Sequence, residues 1–113
     1  MRRFVGFALA LSFSAAVALP VAARADAALI ALGQAIAKKN CGRCHAVGRS
    51  GASANPKSPP FRTLSLKYPI VDLEEALGEG IMVGHEGLEM PQFQLTPAQI
   101  GALIAYLESV QRK

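Results

Sequence analysis

The chain has 113 residues, two cysteines, two histidines and a formal net charge of +4 at neutral pH. That length holds one small domain. The basic balance is no sign of nucleic-acid binding: Arg2, Arg3 and Arg24 sit in a leading segment without acids, and residues 26–113 alone carry a formal charge of +1.

Met1-Arg2-Arg3 is followed by an apolar run from Phe4 to Leu19, then Pro20 and Ala23-Arg24-Ala25. A basic start, an apolar middle and a small-x-small close are the parts of a secretory signal peptide. Cleavage is expected after Ala25, with Ala27 as an alternative point. An uncleaved anchor is the rival reading, but a run of sixteen residues is short for a membrane span. The exported domain is then residues 26–113, 88 residues. A core of that size is marginal alone.

Asp26 is expected to cap a helix over about Ala27–Lys39, with Leu29, Leu32 and Ile36 as its apolar stripe. Lys38 and Lys39 suit its C-terminal end. Gly33 is costly in mid-helix, and close approach of another helix would explain it.

Cys41-Gly42-Arg43-Cys44-His45 follows, and it is the most informative stretch of the chain. Two cysteines three apart with a histidine directly after form the attachment pattern of a c-type haem. Two thiols reach the two vinyl groups of one porphyrin, and the next residue puts an imidazole at the iron. Three rival readings fit less well. A redox dithiol of the thioredoxin type sits in a βαβ pattern, and none is visible. A structural zinc site needs four ligands, and only the distant His85 is left to add. A disulfide this short would close a tiny loop and stabilise little.

Ala46–Leu66 is punctuated by Gly48, Gly51, Pro56, Pro59 and Pro60 and reads as a long loop. Its task is to wrap the histidine side of a flat cofactor, with Phe61, Leu64 and Leu66 facing the haem or the core beside it. A short helix follows, from Val71 or Asp72 to Glu79. Asp72 is its expected N-cap, with Glu75 completing a capping box. Leu73, Ala76 and Leu77 form its apolar side, and Gly78 and Gly80 end it. Ile81–Gln94 reads as a second loop, carrying Met82, His85 and Met90. The final helix starts at Thr96-Pro97-Ala98-Gln99: an N-cap, a proline at the first helical position and a glutamine at the third. Ile100, Leu103, Ile104 and Leu107 follow at helical spacing to about Val110. No strand is expected.

The motif Cys41-Gly42-Arg43-Cys44-His45, the pair Met90-Pro91 with Phe93, and Ala105-Tyr106-Leu107 in the last helix together resemble the class I cytochromes c. The resemblance covers residues 27–110. It implies an all-α cytochrome c fold, with about three main helices and long loops wrapped around one covalently bound haem. It implies thioether links from Cys41 and Cys44, His45 and Met90 as axial iron ligands, and close crossing of the first and last helices at Gly33 and Tyr106. It also implies that a proline carbonyl, Pro59 in preference to Pro60, holds the ring of His45 and raises its basicity. The chain departs from the family at Ala37, where an aromatic residue is common.

Three side chains compete for the sixth iron position. Met90 has Pro91 beside it, which holds an extended loop. Met82 continues an apolar run, which suits packing. His85 lies between Gly84 and Glu86 and suits an exposed loop. Thioether ligation favours Fe(II), and a second imidazole would not.

The leading functional expectation is a periplasmic one-electron carrier and not an enzyme, since two strong ligands leave no room for a substrate. No nucleophile or acid–base pair stands out, and Asp72, Glu74, Glu75 and Glu79 read as a solvated face. Expected partners are redox proteins: a donor dehydrogenase or bc1-type complex, and an acceptor oxidase or reductase. The carrier is expected to be a monomer, and not an integral membrane protein once the signal is removed. The alternatives are a haem subunit held by a periplasmic dehydrogenase, or a peroxidase or gas-binding haem protein with a displaceable ligand. Charge is divided along the chain: residues 26–67 balance to +6 and residues 68–113 to −5.

Overall fold

A computed structural model describes residues 14–80, 84–85 and 88–112. Three α-helices, α1 (Val21–Asn40), α2 (Asp72–Glu79) and α3 (Pro97–Val110), carry the fold, with a 3-10 helix at Phe61–Leu66. The all-α class is as the sequence implies, but the second loop is not wholly irregular. Gly84–His85 (β1) and Leu88–Glu89 (β2) pair antiparallel, with Gly84 opposite Glu89 and His85 opposite Leu88. Two residues per strand give no side-chain period to read, so this ladder leaves no sequence signature.

The core lies between α1 and α3. Ile36 and Ala37 face Ala102, Leu103, Ile104, Tyr106, Leu107 and Val110, and Phe61, Leu64 and Ile70 complete the cluster. At the crossing, a Cβ built on Gly33 would overlap the Ala102 carbonyl and stand 2.7 Å from Tyr106 Cβ. The mid-helix glycine is therefore required by the approach of α3. Ala37 and Ala102 are both 0% exposed, so two small residues bring the helices together beside the Gly33 crossing.

That crossing corrects the first helix. Leu29 and Leu32 were expected in the apolar stripe, but they are 43% and 49% exposed. The buried line is Gly33, Ile36 and Ala37, with Ile30 partly buried. Backbone contact at Gly33 fixes the rotation of α1 and overrides the larger leucines. The helix also begins earlier than expected, at Val21, with Pro20 in the N-cap position. Asp26 is inside the helix and caps nothing. Val21-Ala22-Ala23-Arg24-Ala25 contains good helix formers and no breaker, so the turn simply continues.

In α2 the N-cap is Val71, not Asp72, and no side chain caps the helix. A tight turn leads in, with Asp72 N donating to the Pro69 carbonyl and Leu73 N to that of Ile70. Backbone bonds thus replace the expected capping box. Asp72, Glu74 and Glu75 fill the first turn, where the helix dipole favours anions. Gly80 ends α2 at φ +79°, a left-handed conformation suited to glycine.

The start of α3 is as read from the sequence. Gln99 N donates to Thr96 Oγ1 at 3.2 Å, Thr96 N donates to Gln99 Oε1 at 2.9 Å, and Pro97 opens the helix. No helix among the described residues is long and apolar enough to cross a membrane.

Candidate functional site

The Cys41–His45 stretch is a turn that continues from α1. Cys41 N and Gly42 N both donate to the Ala37 carbonyl, and Cys44 N and His45 N both donate to that of Cys41. Helix-like winding puts Cys41, Cys44 and His45 on one side, and all three line one cavity. Gly42 had no role in the sequence reading. A Cβ there would stand 2.7 Å from the Lys38 carbonyl oxygen, so the turn is too tight for a side chain.

His45 is held from two directions. Its Nδ1 lies 2.8 Å from the Pro59 carbonyl oxygen, which requires the Nδ1–H tautomer and leaves Nε2 as the nitrogen able to ligate. The Pro60 carbonyl is used elsewhere, accepting from Thr63 N and Thr63 Oγ1. The Phe61 ring lies against the imidazole, centroids 5.1 Å apart and tilted by 43°.

The loop behind His45 is tied shut. Asn55 N donates to the Cys44 carbonyl, Phe61 N to that of Ala46, and Ala46 N to Ser53 Oγ. Tyr106 Oη reaches from α3 to the Val47 carbonyl at 2.7 Å. Within the segment read as a single loop, Phe61–Leu66 forms the 3-10 helix. Its threefold period puts Phe61, Leu64 and Lys67 on one side, and all three line the cavity. Leu66, expected to face haem or core, is instead 75% exposed, because it is one step off that period.

The cavity is about 900 Å³, at the upper end of the roughly 300–1,000 Å³ typical of cofactor sites. Leu73, Ala76 and Leu77 of α2 and Leu103 and Leu107 of α3 give it apolar walls, and Met90, Pro91 and Phe93 contribute another part of the lining. Lys39 and Arg43 line it beside the cysteines, and among the described residues no carboxylate does. Pro59 lines it too. Met82 lies outside the described residues, as does the side chain of His85; only the backbone of His85 is placed, in β1.

Burial pushes the Cys41 thiol up to about 11. A redox-active dithiol needs a thiol shifted down toward thiolate, and burial moves Cys41 the other way. The site suits a haem held through sulfur. Two thiols, one imidazole with a committed tautomer and one thioether all line an apolar space of cofactor size.

No match emerged among curated proteins or solved structures. A family model described as Cytochrome c matches residues 30–111, which takes in the cysteine motif, both loops, α2 and α3. The chain therefore belongs to the cytochrome c family, whose members hold haem c covalently and use it for electron transfer.

Proposed function

We propose that this chain is a periplasmic electron carrier, exported by residues 1–25, with one haem bound by Cys41 and Cys44 and its iron ligated by His45 and Met90. The observation that carries the reading is the pairing of side chains around the cavity: a histidine with Nδ1 engaged by Pro59 and a methionine fixed beside Pro91 line the same space. When bound, the haem supplies a one-electron Fe(III)/Fe(II) couple, and a thioether on one side favours Fe(II). The chain's own part is to hold both ligands rigidly, exclude water with apolar walls and leave no coordination site for a substrate. On this reading the protein is a carrier and not an enzyme. The test is a redox titration of the holoprotein followed by absorbance, with carbon monoxide added to the reduced form. One reversible one-electron wave and no rapid carbon monoxide binding are expected. Rapid binding would move the protein to the gas-binding or peroxidase class.

The partner surface proposed is the basic side near the cysteines. Lys38, Lys39 and Arg43 gather at the end of α1 and the motif turn. The acids of α2 belong to a different element. An acidic patch on a donor or acceptor would be steered to the basic side and held by a small transient interface. Reaction with such a partner is expected to slow steeply as salt rises; a rate independent of ionic strength would exclude steering.

A further inference from the structure

The end of α3 is fastened to the histidine side of the cavity, and Gln111 makes most of the fastening. Its Nε2 donates to the Phe61 carbonyl at 2.8 Å and to the Leu107 carbonyl at 2.7 Å. Its Oε1 accepts from Ser65 N at 2.9 Å. Both amide hydrogens are used, and one half-buried side chain satisfies three backbone groups in two elements. The neighbouring Arg112 N donates to the Arg62 carbonyl at 3.0 Å. The 3-10 helix is thus riveted to the last turn of α3 across about fifty residues of sequence.

The rivet lands on Phe61, and Phe61 bears on His45 in two ways. Its ring lies against the imidazole. Its backbone follows Pro59-Pro60, so it fixes the carbonyl that engages Nδ1. Proline restricts the chain between these points, so a shift of Phe61 passes to Pro59 with little slack.

We propose that Gln111 is a positioning residue for His45: by anchoring Phe61 it keeps the Pro59 carbonyl on Nδ1, and so sets the donor strength of the imidazole. The proposal rests on His45 being an iron ligand. A ligating histidine whose Nδ1–H is well hydrogen-bonded is the more basic ligand. Loosening that bond weakens donation to iron and destabilises Fe(III) relative to Fe(II), so the reduction potential rises.

The experiment uses the holoprotein with Gln111→Met, Gln111→Asn and Thr96→Ala. Methionine keeps length and removes all three bonds. Asparagine keeps an amide for the helix end but is one methylene short of spanning both elements. Thr96→Ala removes the cap at the far end of the same helix, which costs about 1 kcal/mol, without touching the 3-10 helix. None of the three changes charge. Both Gln111 variants are expected to raise the potential and to move the paramagnetically shifted His45 ring resonances in the oxidised protein. Thr96→Ala should lower the melting temperature and move neither. If the Gln111 variants lose stability while potential and His45 resonances match the wild type, Gln111 is only a helix stop and the proposal is overturned. If the wild type itself has no paramagnetically shifted histidine, the reading of His45 falls, and the proposal with it.

Discussion

The mature polypeptide made without haem will show no cooperative thermal transition. The cavity of about 900 Å³ is walled by leucines and aromatic residues. Without haem those apolar walls have nothing to pack against, and each large apolar side chain left uncovered forfeits about 1.5–3 kcal/mol. A domain of this kind is stable by only about 5–15 kcal/mol in total. Admitting water would relieve the void but would wet Leu73, Leu77, Leu103 and Leu107, which give the site its apolar walls. What remains is the α1–α3 core of Ile36, Ala37, Ala102, Ile104, Tyr106 and Val110 with Ile70. A core of that size is marginal for a domain of 88 residues. Circular dichroism of a Cys41→Ala, Cys44→Ala chain during heating is the check. A sharp melt at full native helix content would show that the polypeptide supplies its own core, and that the cavity is not the centre of the fold.

Replacing Met90 has the second large effect. Met90→Ala should abolish the long-wavelength thioether-to-iron band of the oxidised protein, lower the reduction potential and open the reduced iron to carbon monoxide. Axial ligands move haem potentials over roughly 0.8 V among proteins, so losing the ligand that favours Fe(II) gives a shift well outside titration error. Met90 lines the cavity together with Pro91 and Phe93, and its removal leaves no other described sulfur there except the two cysteines. A band that survives in Met90→Ala would exclude Met90 as ligand and turn attention to Met82. A low potential without carbon monoxide binding would show that His85 has taken the position.

The parts of this protein legible in the sequence are those specified by neighbours in the chain. The cysteine–histidine spacing acts within one helical turn, and the Thr96–Gln99 capping box closes within four residues. Gly33 was readable as a contact point because a glycine in mid-helix needs a reason. The errors share a different cause. Leu29 and Leu32 have the spacing of a buried stripe, yet the approach of Ala102 to Gly33 decides which face of α1 is covered. Leu66 is apolar, but the 3-10 period set by Phe61 and Leu64 turns it to solvent. Asp72 and Glu75 fit a capping box, but backbone bonds from Asp72 N and Leu73 N to the Pro69 and Ile70 carbonyls already make the turn. Gln111 gave no signal, because its partners Phe61 and Ser65 lie 50 and 46 residues away. The lining of the cavity is mixed in the same way: the motif turn is local, while Leu73, Met90 and Leu107 come together only through the tertiary fold.

The most direct measurement is the intact mass of the exported protein, taken with its absorbance spectrum and a count of alkylatable thiols under denaturing conditions. The account predicts a coloured protein whose mass is that of the chain from Asp26 plus one haem, with neither Cys41 nor Cys44 open to alkylation. A colourless product of bare polypeptide mass, with both thiols alkylated and no iron, would contradict it.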